Sequence, residues 1–225
     1  MYAFAQRADT RVVDEPLYAH YLRVSGAQHP GFEQVLASQD PDGERVVREV
    51  ILGPPGAAVV FFKQMAHHLL DLDLGFLDHT VNVLLTRDPK DMLRSLVHQI
   101  PRPTLADTGL ARQCTLLEAL RARGQDPPVL DARALLEDPA DVLAQLCTRL
   151  GLRPDPGMLR WPAGPIPEDG TWAPHWYQQV HRSRGFGPYR EKHGPMPPEL
   201  ETLYAACRPY YETLFAAAIK PRSCR

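Results

Sequence analysis

Arg87 and Ser95, eight residues apart, are the pair in this sequence best suited to hold an anion. The arginine closes an apolar, β-branched run, and the serine lies about two turns into the helix that follows, at ~1.5 Å per residue. A guanidinium fork and a hydroxyl converging from a strand end and a helix suit a phosphate monoester. The plain alternative is a structural salt bridge at Arg87 and an ordinary helical serine at position 95. Two more charged residues follow strand-like runs: Glu15 after Arg11-Val-Val-Asp14, and Lys63 after Ala57-Ala-Val-Val-Phe-Phe62. The four cysteines (Cys114, Cys147, Cys207 and Cys224) have no metal-type spacing, and no metal is expected.

These groups can work only if the chain carries them to one edge. Helical patterns at 17–24, 31–38 and 44–52 separate the first two strands, and further ones at 64–70 and 73–79 precede a third strand at 80–86. Asp88 as N-cap, Pro89 at the first helical position and Asp91 in the first turn mark the start of the next helix. An amphipathic helix at 109–123 leads to a fourth strand at 128–131, and a helix at 139–150 ends with Gly151 as its C′ residue. From residue 161 the chain is rich in loops, then helical at 174–182 and 197–217. Residues 1–8 read as the body of a helix that has no start signal. Strands alternating with helices predict one α/β domain over 1–225, with a mainly parallel central sheet flanked by helices in three layers. Ligands of such sheets bind beyond the carboxyl ends of the strands, where Glu15, Lys63 and Arg87 all fall.

The run Arg87-Asp-Pro-Lys-Asp-Met-Leu-Arg-Ser95 resembles the site that grips the 3′-phosphate in sulfotransferases using 3′-phosphoadenosine 5′-phosphosulfate (PAPS), where arginine and serine stand eight apart. The resemblance spans nearly the whole chain. Phe4-Ala-Gln-Arg, Val13-Asp-Glu-Pro-Leu-Tyr-Ala-His-Tyr-Leu22, Phe62-Lys-Gln-Met-Ala-His-His68, Trp161-Pro-Ala-Gly-Pro and Trp172-Ala-Pro-His-Trp-Tyr177 are similar to bacterial sulfotransferase-family proteins of unassigned acceptor. It implies a P-loop-type fold, PAPS as co-substrate, a small-molecule acceptor, and Arg87 and Ser95 as nucleotide-binding residues. The family places a phosphosulfate-binding loop before its first helix, where backbone N–H groups cradle the anion. Here the first strand and that loop are expected to be absent, through a late start or truncation, and PAPS binding by the 225 residues is expected to fail. Gly53-Pro-Pro-Gly56 cannot substitute, because its prolines have no N–H to donate.

Sulfuryl transfer to an alcohol or amine requires a base for the acceptor proton and stabilisation of charge on the leaving phosphate. The resemblance points to Glu15 as base, turned toward the strand ends by Pro16. His67 and His68 compete for the role, although family members with a histidine base carry it two residues after the lysine, where this chain has Met65. Adjacent helical positions point roughly 100° apart, so one histidine at most faces the site. Lys63 would neutralise the leaving oxygen or simply be solvated. Ser183, Arg184 and Gly185, in the basic stretch 181–190, loosely resemble a loop that closes over the nucleotide; a charged surface turn is the alternative. Trp161, Trp172 and Trp176 would line an acceptor pocket or pin loops to the core.

A formal net charge of -2 does not point to nucleic acid or an anionic membrane as partner, and Cys147 and Cys207 fit packed free thiols of a reducing, cytoplasmic setting. Two competing functions remain at this level. A P-loop small-molecule kinase would use Arg87 on a transferred phosphate, but no Walker lysine or acidic pair for Mg²⁺ is evident. A non-catalytic, truncated binding protein is the other. Oligomeric state and acceptor identity are not encoded in any motif.

Overall fold

The β-branched run at residues 10–14 forms a strand because its partner is another one. The computed structural model describes residues 1–191 and 194–222. In chain order its strands are β1 (Thr10–Asp14), β2 (Val59–Lys63), β3 (Leu84–Thr86) and β4 (Val129–Asp131). Helices α1 (Tyr18–Ser25), α2 (Phe32–Ser38) and α3 (Gly43–Val46) lie between β1 and β2, and α4 (Pro89–Leu96), α5 (Leu105–Thr108) and α6 (Leu110–Ala122) between β3 and β4. After β4 come α7 (Ala132–Glu137), α8 (Pro139–Arg149), α9 (Ala173–Trp176), α10 (Gln178–Arg182) and α11 (Pro198–Ala217). The α/β class and the parallel pairing expected from the sequence are both present. Hydrogen bonds join the strands as two parallel pairs, β1 with β2 and β3 with β4.

Contacts within the chain group into two units. The first holds Met1–His79 and Asp155–Phe186. Its β1–β2 register sets Thr10 opposite Val59 and Asp14 opposite Lys63, so a carboxylate and an ammonium finish the two strands side by side. Tyr18, Ala19, Tyr21 and Leu22 of α1, Val35 of α2 and Trp172 form its core cluster. The second unit holds Thr80–Pro154 and Gly187–Arg225. Leu84, Leu110, Cys114, Leu117, Val129, Cys207, Leu214 and Ala218 bring β3, β4, α6 and α11 together there. Each fully buried leucine contributes about 1.5–3 kcal/mol.

Local signals hold where the bonds that satisfy them are local. Asp88 accepts from the Lys90 N–H at 2.7 Å and Pro89 opens α4. Gly151, at φ 68°, ends α8 in a Schellman motif: its N–H donates to Thr148 and that of Leu152 to Cys147. Other expectations are corrected. Residues 1–8 are not a helix body; they make a single 3₁₀ turn, Phe4–Gln6, and a second turn at Ala8 and Asp9 leads into β1, with the Arg7 guanidinium held by Asp9 and Thr10. The third strand is only three residues long, because Thr80 and Asn82 bond to each other instead of to a ladder. The segment 47–51 is a π-helical turn, and Ala66–Leu69 and Leu74–His79 are 3₁₀. Cys114, Cys147 and Cys207 are free and buried; Cys224 lies outside the described residues. No helix among the described residues is long and apolar enough to cross a membrane.

Candidate active site

At the carboxyl ends of β1 and β2, four ionisable groups meet in the first unit. Asp14 is the last residue of β1, Glu15 follows it, Lys63 ends β2, and Tyr177 arrives from the turn between α9 and α10. Glu15 is buried and has a left-handed backbone, φ 39°, a conformation that costs a non-glycine residue about 1–3 kcal/mol and that a following proline disfavours further. Three hydrogen bonds hold it there: its N–H donates to the Lys63 carbonyl at 2.7 Å, and its carbonyl accepts from the Tyr18 N–H and the Gln39 side chain, both at 3.0 Å. The result turns the Glu15 carboxylate onto the Lys63 ammonium, which donates to Oε1.

Lys63 also donates to the Tyr177 hydroxyl at 2.8 Å and lies 3.7 Å from Asp14 Oδ1. Burial pushes its pKa down to about 8, against the attraction of Asp14, which raises it. The Tyr177 hydroxyl uses all its capacity: its proton goes to Asp14, at 2.8 and 2.9 Å from the two oxygens, and it accepts from Lys63 and from the Trp172 indole at 3.2 Å. Burial and the neighbouring Asp14 charge push the phenol far above its ordinary pKa, so it stays protonated. Asp14 receives a further N–H from Gly170 at 3.1 Å. Gly170 has to be glycine, since a Cβ there would lie 2.1 Å from the Trp172 ring.

The two histidines differ. His68 is buried, stacked on Tyr18 (4.7 Å between centroids) and Tyr21 (4.9 Å), with Nδ1 3.7 Å from Glu15 Oε2 and no hydrogen bond to that nitrogen. Burial holds its pKa well below the usual value, with the neighbouring His67 and Lys63 charges acting in the same sense; the ring is neutral at physiological pH. His67 is half-buried and meets the Tyr21 ring edge-on at 4.9 Å.

In the 181–190 stretch, the Ser183 hydroxyl accepts from the Trp161 indole at 2.9 Å and donates to the Val180 carbonyl at 2.7 Å. Gly185 makes an antiparallel bridge with Arg160, and a Cβ on it would come within 2.5 Å of the Leu159 carbonyl. Arg184 is exposed, on a shallow depression it shares with Arg160, Trp161 and Pro162. Trp161 and Trp172 are buried and pin their loops, while Trp176 is half-buried beside His29.

The second unit carries the other candidates. Arg87 follows β3; it is exposed and has no hydrogen bond or ion pair among the described residues. Ser95 is half-buried near the end of α4, its hydroxyl donating to the Asp91 carbonyl at 3.3 Å. Nearby carboxylates are committed elsewhere, Asp88 to the α4 N-terminus and Asp91 to the Tyr189 hydroxyl at 3.1 Å. Among the described residues, no group of three or more His, Cys, Asp or Glu is placed to hold a metal ion.

Asp14 and Tyr177 do not stand out in the sequence analysis. Asp14 could have been found from its place beside Glu15 in a strand whose alternate positions turn inward; Tyr177 carried no local signal. The chain therefore combines parallel βα units with a buried acid–base cluster at the carboxyl ends of one strand pair, and an arginine after another strand that has no partner among the described residues. It belongs to the sulfotransferase family: the family model described as "Sulfotransferase domain" matches residues 1–218. Two curated proteins of Arabidopsis thaliana are similar to it. Branched-chain-amino-acid aminotransferase-like protein 1 is 39% identical over 187 residues, 83% of this chain and 34% of that protein. Branched-chain-amino-acid aminotransferase-like protein 2 is 36% identical over 215 residues, 95% of this chain and 38% of that protein. The chain thus spans little more than a third of these relatives. No solved structure matches.

Proposed function

We propose that this chain is a sulfotransferase domain that moves a sulfuryl group from PAPS to a hydroxyl or amine of a small molecule. The observation that carries the reading is Glu15, a buried carboxylate held in a costly backbone conformation at a strand end and facing a lysine. Strain of that kind persists where the surroundings over-determine it, and it gathers at functional sites. Glu15 is the better proton acceptor of the candidates, because His68 is a weak base walled in by two tyrosine rings.

Arg87 and Ser95 fit the nucleotide's 3′-phosphate. Among the described residues the guanidinium has no acidic partner to displace, and a serine hydroxyl on α4 can donate to a charged acceptor. When bound, PAPS supplies the sulfuryl group and the leaving phosphate. Lys63 would lend its positive charge to oxygens that become anionic, and Glu15 would take the acceptor's proton. Ser183 and Gly185 serve the local fold in the structure, which leaves Arg184 as the member of that trio with a free side chain to meet a phosphate. The names of the plant relatives describe proteins of which this chain covers about a third, and the acceptor is not drawn from them.

The test is calorimetric titration of a longer protein that carries this domain with 3′-phosphoadenosine 5′-phosphate (PAP) against 5′-AMP. The 3′-phosphate is expected to add about 2–4 kcal/mol, from two or three charge-assisted hydrogen bonds. Equal affinities would overturn the reading.

A further inference from the structure

We infer that Asp14 is a positioning residue that makes Glu15 a base: locked by Tyr177 and the Gly170 N–H, it shares Lys63 with Glu15 and leaves the cluster one proton short of neutrality. This rests on the reading of Glu15 given above. Two adjacent carboxylates and one ammonium carry one net negative charge. If Glu15 and Lys63 stood alone, protonating Glu15 would leave a half-buried cation without a counter-charge. With Asp14 3.7 Å from the Lys63 nitrogen, the same protonation leaves a balanced ion pair. The proton passes from the acceptor's O–H or N–H to a Glu15 oxygen, the electron pair it leaves behind forms the bond to sulfur, and the bond from sulfur to the PAPS phosphate oxygen breaks with its electron pair going to that oxygen, so that PAP leaves.

The division of labour between the carboxylates follows from their partners. Asp14 accepts the Tyr177 proton and the Gly170 N–H, and its side chain is 1% exposed; both its oxygens are engaged. Glu15 has one oxygen on Lys63 and the other 3.7 Å from a neutral His68 nitrogen that makes no hydrogen bond. The other groups facing the cluster do not cancel its charge. Asp169, a further carboxylate that acts on Lys63 and Tyr177, accepts from Tyr2 and His181. The α-amino group of Met1, pushed down to about 5 by burial, is neutral at physiological pH. His20, His29 and His67 act on His68.

The test reads Lys63 directly, through the pH dependence of its acylation followed by peptide mass spectrometry. In the wild type the reactive free amine is expected near pH 8. Asp14→Asn removes an anion, so Lys63 should deprotonate about one pH unit lower or more. Tyr177→Phe should move it the other way, because Asp14 then has no phenol and takes Lys63 as its direct partner. Opposite shifts from two variants of one cluster are not what loss of packing produces, and either variant that folds is informative. Lys63 titrating as in the wild type in a folded Asp14→Asn protein would overturn the inference. In sulfuryl transfer, the acid limb of kcat/KM should move to lower pH in Asp14→Asn. An unmoved limb with active enzyme sinks this inference and spares the sulfotransferase reading. Shifted lysines with no transfer by the wild type do the reverse.

Discussion

The ends of β2 and β3 each present a basic residue, yet the two cations live in opposite conditions. Lys63 is wrapped by Asp14, Glu15 and Tyr177 and has its pKa pulled down by burial. Arg87 is exposed and has no acidic partner among the described residues. A buried ammonium between two carboxylates is a device for proton and charge balance, since at low dielectric each added proton is felt by every neighbour. An exposed guanidinium of fixed charge is a device for gripping an anion. Sequence alone shows two positive residues at two strand ends; burial and pairing give them different chemistry.

The comparison breaks most visibly at Glu15. Glu15→Gln keeps the shape and removes the base, so in sulfuryl transfer by this domain kcat should fall about 10²–10⁴-fold, with PAP affinity unchanged. A variant that loses nucleotide binding and keeps its kcat would mean the roles of the two strand ends had been exchanged. Arg87→Ala should do the converse. It should erase most of the preference for PAP over 5′-AMP, on the order of 100-fold in Kd, while the Lys63 titration stays where it was. An unchanged preference would remove Arg87 from the nucleotide site.

A smaller effect tests the burial of His68 in the first unit. His68 folds as a neutral ring with its pKa below the usual value, so below about pH 6.5 the unfolded chain binds a proton that the folded chain refuses. Stability from this group is therefore complete above pH 6.5 and is lost as the pH falls through it, by about 1–2 kcal/mol at pH 5. His68→Phe keeps a ring between Tyr18 and Tyr21 and should flatten that acid-side loss in thermal unfolding. A slope identical to the wild type would show that water reaches the imidazole.

What could be read early was whatever depends on a few consecutive residues. The start of α4 was legible because Asp88, Pro89 and Lys90 satisfy one another within a single turn. The end of α8 was legible because only glycine adopts φ 68° there cheaply. The four strands were legible as β-branched runs, although Thr80 and Asn82 shortened the third by bonding locally.

By itself the sequence determined the parallel α/β plan, the strand ends at which Glu15, Lys63 and Arg87 stand, and the family resemblance that the match over residues 1–218 sustains. Only tertiary structure decided that Asp14 pairs in register with Lys63, that Tyr177 reaches back 163 residues to lock Asp14, and that His68 is a walled-in neutral ring. The reason is physical: caps and turns are closed by neighbours along the chain, whereas burial and register are set by whichever distant segment packs against it, and charge takes its chemical meaning from burial.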